Sequence, residues 1–415
     1  CYAAFVCHIS YADDADVLPK GVFSIYAEPK FYFTTHERYN PDGDVEDVAV
    51  DYNTNLNGNV FPGLGDLEMI FKGLGLVPPD FTASIGRSVV SFKYNFTISD
   101  FVFAYGVTDR LTVGIVVPYW WVKNTIDARL DNSSATVGKN PLHGTPGDPF
   151  GGLAPLIPRA LGGSSLTTED VQDLLGKGLD VNGDGTIDIP GFKYKRVETF
   201  SNNGIGDIEA GFKYQYLKTD NWRLAFTGGV RFPTGEIDDP DNLVDYPLGA
   251  GVYALLFRLN NDFTGVKNLV LNATFRYDLL LPDKEVRRVP DNVNRPITLN
   301  KEEVRRNLGD IIEFQASGTY TFLKGLSFSL LYKYGFSLED RISGNKGFAY
   351  ESLMDETNYT EQLYIIGLSY STIPLYMEKK FPVPFTASIA YRNRFAGSNN
   401  VLKSQYIAFG LQVYF

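Results

Sequence analysis

The 415-residue chain has almost no cysteine: Cys1 and Cys7 are its only two, so nothing beyond residue 7 can form a disulfide within the chain. No run of 18 or more apolar residues occurs, and this excludes a transmembrane helix. Positive charge is in deficit, with a formal net charge of −11. No basic stripe is therefore available to neutralise phosphates, and nucleic acid is excluded as a partner. Catalytic signatures are missing too: there is no Gly-x-Ser-x-Gly elbow, no His-Glu-x-x-His and no phosphate-cradling glycine loop. His36 and His143, the histidines beyond residue 12, fall in predicted loops. The expectation is that the chain is not an enzyme; a histidine-based barrel lipase or protease is the last of its alternatives. No Pro/Ser-rich linker or charge run marks a domain boundary.

What the chain does have is aromatics and glycine, 30 Phe, 26 Tyr and 40 Gly, a mixture suited to many strands joined by turns. The segment Cys1–Ala12 (CYAAFVCHISYA) is apolar, uncharged and ends in small residues, as a signal peptide does before its cleavage site. With no initiating Met it reads as the back half of such a peptide. Residues 1–12 are thus expected to be a signal remnant and 13–415 a single, cysteine-free domain exported through the periplasm. The alternatives are a buried N-terminal strand, or a lipoprotein anchor that Val6 before Cys7 fits poorly.

Alternation decides the fold. In the tail, Ile407, Phe409, Leu411, Val413 and Phe415 share one face and Tyr406, Ala408, Gly410, Gln412 and Tyr414 the other. The same period of two appears in 222–233, 269–281 and 326–339. Comparable strands fit near 21–34, 88–105, 110–122, 207–217, 250–259, 309–322, 360–372 and 384–395. Each approaches the 9–11 residues that a tilted spanning strand needs. Short turns at 107–109, 218–221, 260–264 and 324–325 alternate with long loops at 35–86, 127–205, 234–248, 282–305 and 340–358. That asymmetry predicts an all-β fold, an antiparallel transmembrane β-barrel of about 12 strands with long extracellular loops. An even strand number places both termini in the periplasm.

A family resemblance enters through the tail and two further stretches. A C-terminal aromatic such as Phe415 is the feature that the barrel-assembly machinery recognises in outer-membrane barrels. The stretch Tyr105-Gly106-Val107-Thr108-Asp109-Arg110-Leu111, running to Pro118-Tyr119, and Gly204-Ile205-Gly206-Asp207-Ile208-Glu209 with Lys213-Tyr214 resemble a family of Gram-negative outer-membrane transporters named for a MetA-pathway of phenol degradation. The resemblance implies passage of small hydrophobic or aromatic compounds, and as partners membrane lipid, lipopolysaccharide and the assembly machinery. Glycine at such strand entries relieves crowding, and Asp can bond nearby backbone amides. A near copy, Gly63-Leu64-Gly65-Asp66-Leu67-Glu68, opens a stretch in which Leu67, Ile70, Phe71 and Leu74 fall at helical spacing. It reads either as a helix that plugs the lumen mouth, or as an extra strand or loop packed on its neighbours.

Two sets of candidate site residues follow. Asp180, Asn182, Asp184, Thr186 and Asp188 have the oxygen spacing of an EF-hand-type loop, with Gly185 at the sharp turn. Calcium is the expected cofactor of loop 180–191, bound weakly because Gly191 stands where a bidentate Glu is usual. The alternative is an Asx-rich turn without an ion. A short helix at 167–176, opened by Thr-Thr-Glu-Asp, is expected to lead into it. Parity then assigns Lys93, Lys213, Arg223, Arg231, Arg258, Arg276, Lys333, Arg392 and Arg394 to the barrel interior, against Glu28, Glu209, Asp278 and Glu313. This predicts a basic lumen that favours anions, or else charges that pair across the lumen and shut it. The functional expectation is a passive, loop-gated channel for small hydrophobic, aromatic or anionic molecules. The rival is a structural or adhesive surface barrel that displays a calcium-stabilised loop.

Overall fold

The computed structural model describes residues 13–415, so the expected signal remnant lies outside the described residues. Twelve long strands form the wall: β1 (Phe23–Tyr32), β2 (Ser84–Thr108), β3 (Leu111–Asp131), β4 (Ile208–Lys218), β5 (Trp222–Phe232), β6 (Ala254–Val266), β7 (Leu269–Leu280), β8 (Ile311–Leu323), β9 (Leu326–Ser337), β10 (Tyr359–Ser371), β11 (Phe385–Gly397) and β12 (Gln405–Tyr414). Each pairs antiparallel with the next. The sheet closes where β12 meets β1 in the register Ser24↔Tyr414 to Tyr32↔Tyr406. Closure leaves no open edge, so the wall's backbone groups pair within the sheet, as lipid requires.

The alternation sorts into two surfaces. Outward stand large apolar side chains, among them Phe101, Phe103, Phe257, Phe328 and Phe409, each more than a third exposed in the isolated chain. Inward stand buried polar ones such as Asn260, Thr274, Arg276 and Asp278. The expected turn at 260–264 is corrected. β6 continues to Val266, and the chain reverses at Lys267–Asn268, with Asn268 at φ 62°. The sequence Asn260-Asn261-Asp262 looks like a turn, but Asn260 and Asp262 are both buried on the polar inner face.

At the long-loop end, β2 and β3 run on past their neighbours in a ladder that reaches Arg87↔Asp131. Beside it the first and second long connections, β1 to β2 and β3 to β4, build a subdomain with its own core. Helix α1 (Pro62–Gly73) contributes Leu64 to a cluster with Ile85, Val137, Leu166 and Leu179, and Phe71 to a second one with Ala154 and Ile157. The helical reading of 63–76 therefore holds, but its apolar face covers loop residues, not the lumen mouth. Helix α2 (Thr168–Leu175) starts where expected, with Thr167 and Asp170 forming a capping box.

Candidate functional site: the barrel lumen

The inner wall carries a belt of alternating charge. Arg231 meets Glu209 and Asp278, each at 2.8 Å. Arg276 binds Asp278 and reaches Glu313 at 3.4 Å. Lys333 bridges Glu313 at 2.8 Å and Glu361 at 2.6 Å, and Arg394 meets Glu361 at 2.7 Å. Arg392 lies over the Tyr406 ring, 5.2 Å from its centroid, and donates to Ser404 Oγ. Beyond β12 the belt continues on β1 and β2, where Lys30 binds Asp100 and stands 3.7 Å from Glu28.

Eight of the nine predicted lumen cations thus face inward, Lys213, Arg223 and Arg258 lying nearer the short turns. Lys93 does not: it is exposed on the outer side of β2. On that strand Tyr94, Phe96 and Ile98 are the buried ones. Beyond the membrane rim, polar-inside parity reverses, because aromatic residues there turn in to meet a loop. Nor is the lining simply basic. Asp100, Asp262 and Glu361, unassigned by parity, supply the missing carboxylates, and Lys30 was missed although it shares a face with Glu28. Asp262 lay in the stretch expected to turn at 260–264, and Glu361 sits at the start of β10, where face assignment from the sequence is weakest.

At the outer end loop 35–86 adds Ala49 and loop 127–205 adds Val197 to the same cluster as Phe96 and Leu248. Two inserts besides these expected plug loops narrow the lumen. The first is the connection 233–253, which folds inward and buries Val244 and Leu248. Its Tyr246 ring packs 4.9 Å from Phe96, 5.7 Å from Tyr94 and 6.4 Å from Trp120. Burial pushes the Tyr246 hydroxyl above its usual value, so it is neutral at ordinary pH. Asp207 staples both ends of this loop: its carboxylate accepts from Gly235 N at 3.0 Å and Ala250 N at 2.8 Å. A Cβ on Gly206 would come within 2.6 Å of Trp120 Nε1. The Gly-Ile-Gly-Asp stretch is therefore the seat of the inward loop.

The second insert is the N-terminal segment Asp13–Pro19, which enters at the short-turn end. Ala15 N donates to Asp262 at 3.1 Å and Gln215 donates to Ala15 O at 2.8 Å. A Cβ on Gly106 would sit 2.0 Å from Pro19 O, so the glycine of the other motif lets this segment pass. Neither insert is visible in local periodicity, since each is fixed by partners far away in sequence.

Off the lumen, loop 180–188 folds as a series of Asx turns. Asp180 accepts from Gly183 N and Gly185 N, Asn182 Oδ1 from Asp184 N, Asp184 from Thr186 N, and Asp188 from Val181 N. Among the described residues no group of three His, Cys, Asp or Glu side chains is placed to hold a metal ion. His143 lies between Asp188 at 3.3 Å and Asp148 at 3.7 Å. Both its ring nitrogens face carboxylates, which leaves neither directed at a serine nucleophile.

A closed wall, apolar and aromatic outside and charged within, defines a transmembrane β-barrel of the outer membrane. The chain belongs to the family named for a MetA-pathway of phenol degradation, whose model matches residues 72–353. Among solved structures it is similar to an outer-membrane channel from Pseudomonas putida F1, at 12% identity and a TM-score of 0.50, over 97% of this chain and 99% of that one. The toluene transporter TbuX of Ralstonia pickettii aligns at 11% identity with a TM-score of 0.35, over 96% of this chain and 90% of that one. No curated protein matches the sequence significantly.

Proposed function

We propose that the protein is a channel for small molecules, passed by diffusion through a loop-gated lumen, with the long loops outside the cell and both termini in the periplasm. The observation that carries this reading is unfilled space on both sides of the charge belt. A cavity of about 300 Å³ lies under loop 233–253, lined by Tyr246, Arg231, Arg394 and Glu361 among others. A second, of about 520 Å³, lies beside the N-terminal segment. A barrel that served only as a structural anchor would gain by packing such volume with side chains. The rings of Tyr94, Phe96, Trp120 and Tyr246 at the outer constriction suit flat apolar solutes, in keeping with the family's link to phenol. The paired belt favours weak charge selection over the anion preference that a basic wall would give. Membrane lipid and lipopolysaccharide would surround the wall, and Phe415 would mark it for the assembly machinery. The test is planar-bilayer conductance together with phenol uptake into liposomes. Folded protein that gives neither removes the channel reading.

The separate core of loops 53–85 and 130–192 favours a second reading, in which the barrel also displays that subdomain to other surfaces. Adhesion of cells that express the barrel with and without residues 132–199 tests it.

A further inference from the structure

We propose that the segment Asp13–Asp16 occupies a solute-binding site of the lumen as a tethered stand-in for the solute. The ligand it imitates is a small organic anion with a carbonyl acceptor close to its carboxylate, of which a short acidic peptide is the pattern. The inference rests on the channel reading above and names a solute class for its inner cavity.

The segment is held by its backbone and its charges. The carbonyl oxygen of Asp13 accepts three hydrogen bonds at once, from Asn260 Nδ2 at 2.8 Å, Asn272 Nδ2 at 3.0 Å and Thr274 Oγ1 at 2.7 Å. Lys213 donates to Asp14 O at 2.8 Å and stands 3.3 Å from the Asp13 carboxylate. Arg258 lies 3.6 Å from that carboxylate on its other side, and Arg223 binds Asp16. These wall residues come from β4, β5, β6 and β7 and stand together because Asn260 pairs with Thr274 and Asp262 with Asn272. A site that reads a carbonyl and a carboxylate, but no side chain beyond them, is one that another molecule with those two groups can fill.

Asp14 is half-buried and Asp16 exposed, so water and ions compete for their contacts, while Asp13 and Ala15 lie buried against the wall. Were the segment to leave, Gln215 would lose the acceptor of its amide, while Asn260, Asn272 and Thr274 would keep the bonds they make with one another and with Asp262 and have donor capacity left for another acceptor. Lys213, Arg223 and Arg258 would keep their charge, with Asp262 beside Arg223 and Glu209 and Asp278 near Arg258. Room for a solute is already present. The cavity of about 520 Å³ runs between Val17–Pro19 and the wall positions Ala104, Gly114, Gly211 and Gly229. The last four face one another in direct register across four strands, so one methyl and three absent side chains leave one continuous hollow.

The test uses the refolded full chain in detergent and the probe N-acetyl-Asp-Asp-Ala-Asp amide, with its all-Asn counterpart as control. Two variants free the site: Asp13, Asp14 and Asp16 each replaced by Asn, and residues 13–18 replaced by a Gly/Ser linker of equal length. Heat-modifiability on gels checks that each barrel is closed. The linker variant is expected to bind the acidic probe at least tenfold more tightly than the wild type, and at least tenfold more tightly than it binds the control. Adding Asn260→Ala and Thr274→Ala to it should reverse that gain, and 1 M salt should weaken it. A closed linker variant that binds the probe no better than the wild type overturns the proposal. So does an all-Asn segment whose spin label at Val17→Cys stays as immobile as in the wild type, since the charges then do not hold it. Conductance is read separately: a variant that binds but carries no current defeats the channel reading and leaves the site, and one that conducts without binding defeats the site.

Discussion

Asp207 offers a way to open the outer constriction without touching the lumen wall. Its carboxylate takes the amides of Gly235 and Ala250, the two ends of the inward loop, at 3.0 and 2.8 Å. Hydrogen bonds to a charged group contribute about 1.5–3 kcal/mol each. Asp207→Ala removes both, so loop closure should weaken by about 3 kcal/mol at the lower end of that range. A decade in the equilibrium corresponds to about 1.4 kcal/mol, so the open population should rise roughly a hundredfold. Asp207→Asn keeps one acceptor oxygen and turns an amide donor toward the other N–H, and should fall between. The β-wall does not depend on this residue, so heat-modifiability should be unchanged. Hydrogen exchange at residues 235–250 reads the loop directly, and single-channel recordings should show longer or more frequent open events in the order Ala, Asn, wild type. Unchanged exchange and unchanged conductance in a folded Asp207→Ala barrel would refute the staple.

The two faces of β5 give the next contrast. Phe226 packs outward between Phe212 and Phe257, so Phe226→Lys should cost roughly 2–4 kcal/mol in folding into lipid, and Thr227→Lys much less. Within the belt, Glu313 serves both Arg276 and Lys333, and Glu313→Leu should cost about 1–3 kcal/mol by leaving N–H donors unmatched, with Asp278 and Glu361 still pairing the two cations, measured as lost resistance to urea in vesicles. Phe71→Ala should unfold the loop subdomain at a cost of roughly 3–5 kcal/mol while conductance and barrel closure stay intact, because α1 does not cover the lumen; a rise in current would restore the plug. Calcium binding at Asp180–Asp188 predicts that millimolar calcium slows proteolysis of loop 132–199 and that Asp184→Ala removes the protection. Indifference of the wild type to calcium and chelator would leave the loop a plain Asx turn.

The sequence by itself determined the barrel. A period of two repeated over about twelve segments forces one apolar and one polar face, and only a closed sheet in lipid satisfies both. Strand number, face assignment on β5, β7, β9 and β12 and the cap at Thr167 were all legible, because each rests on neighbours within a few residues, while the helical spacing near 67–74 left a helix and a packed strand or loop both open. The lumen was not. Whether Arg231 or Lys333 makes a basic wall depends on Asp278, Glu361 and others that arrive from different strands, and only closure of the sheet sets them face to face. Lys93 went to the wrong side because the rule of polar inside fails once the strand leaves the membrane and Tyr246 waits within. Asp13 lies 247 residues from Asn260 and 261 from Thr274. No local pattern announces a contact across such distances. Only when the strands had been brought into register could Gly106 and Gly206 be seen as the gaps through which the two inserts enter.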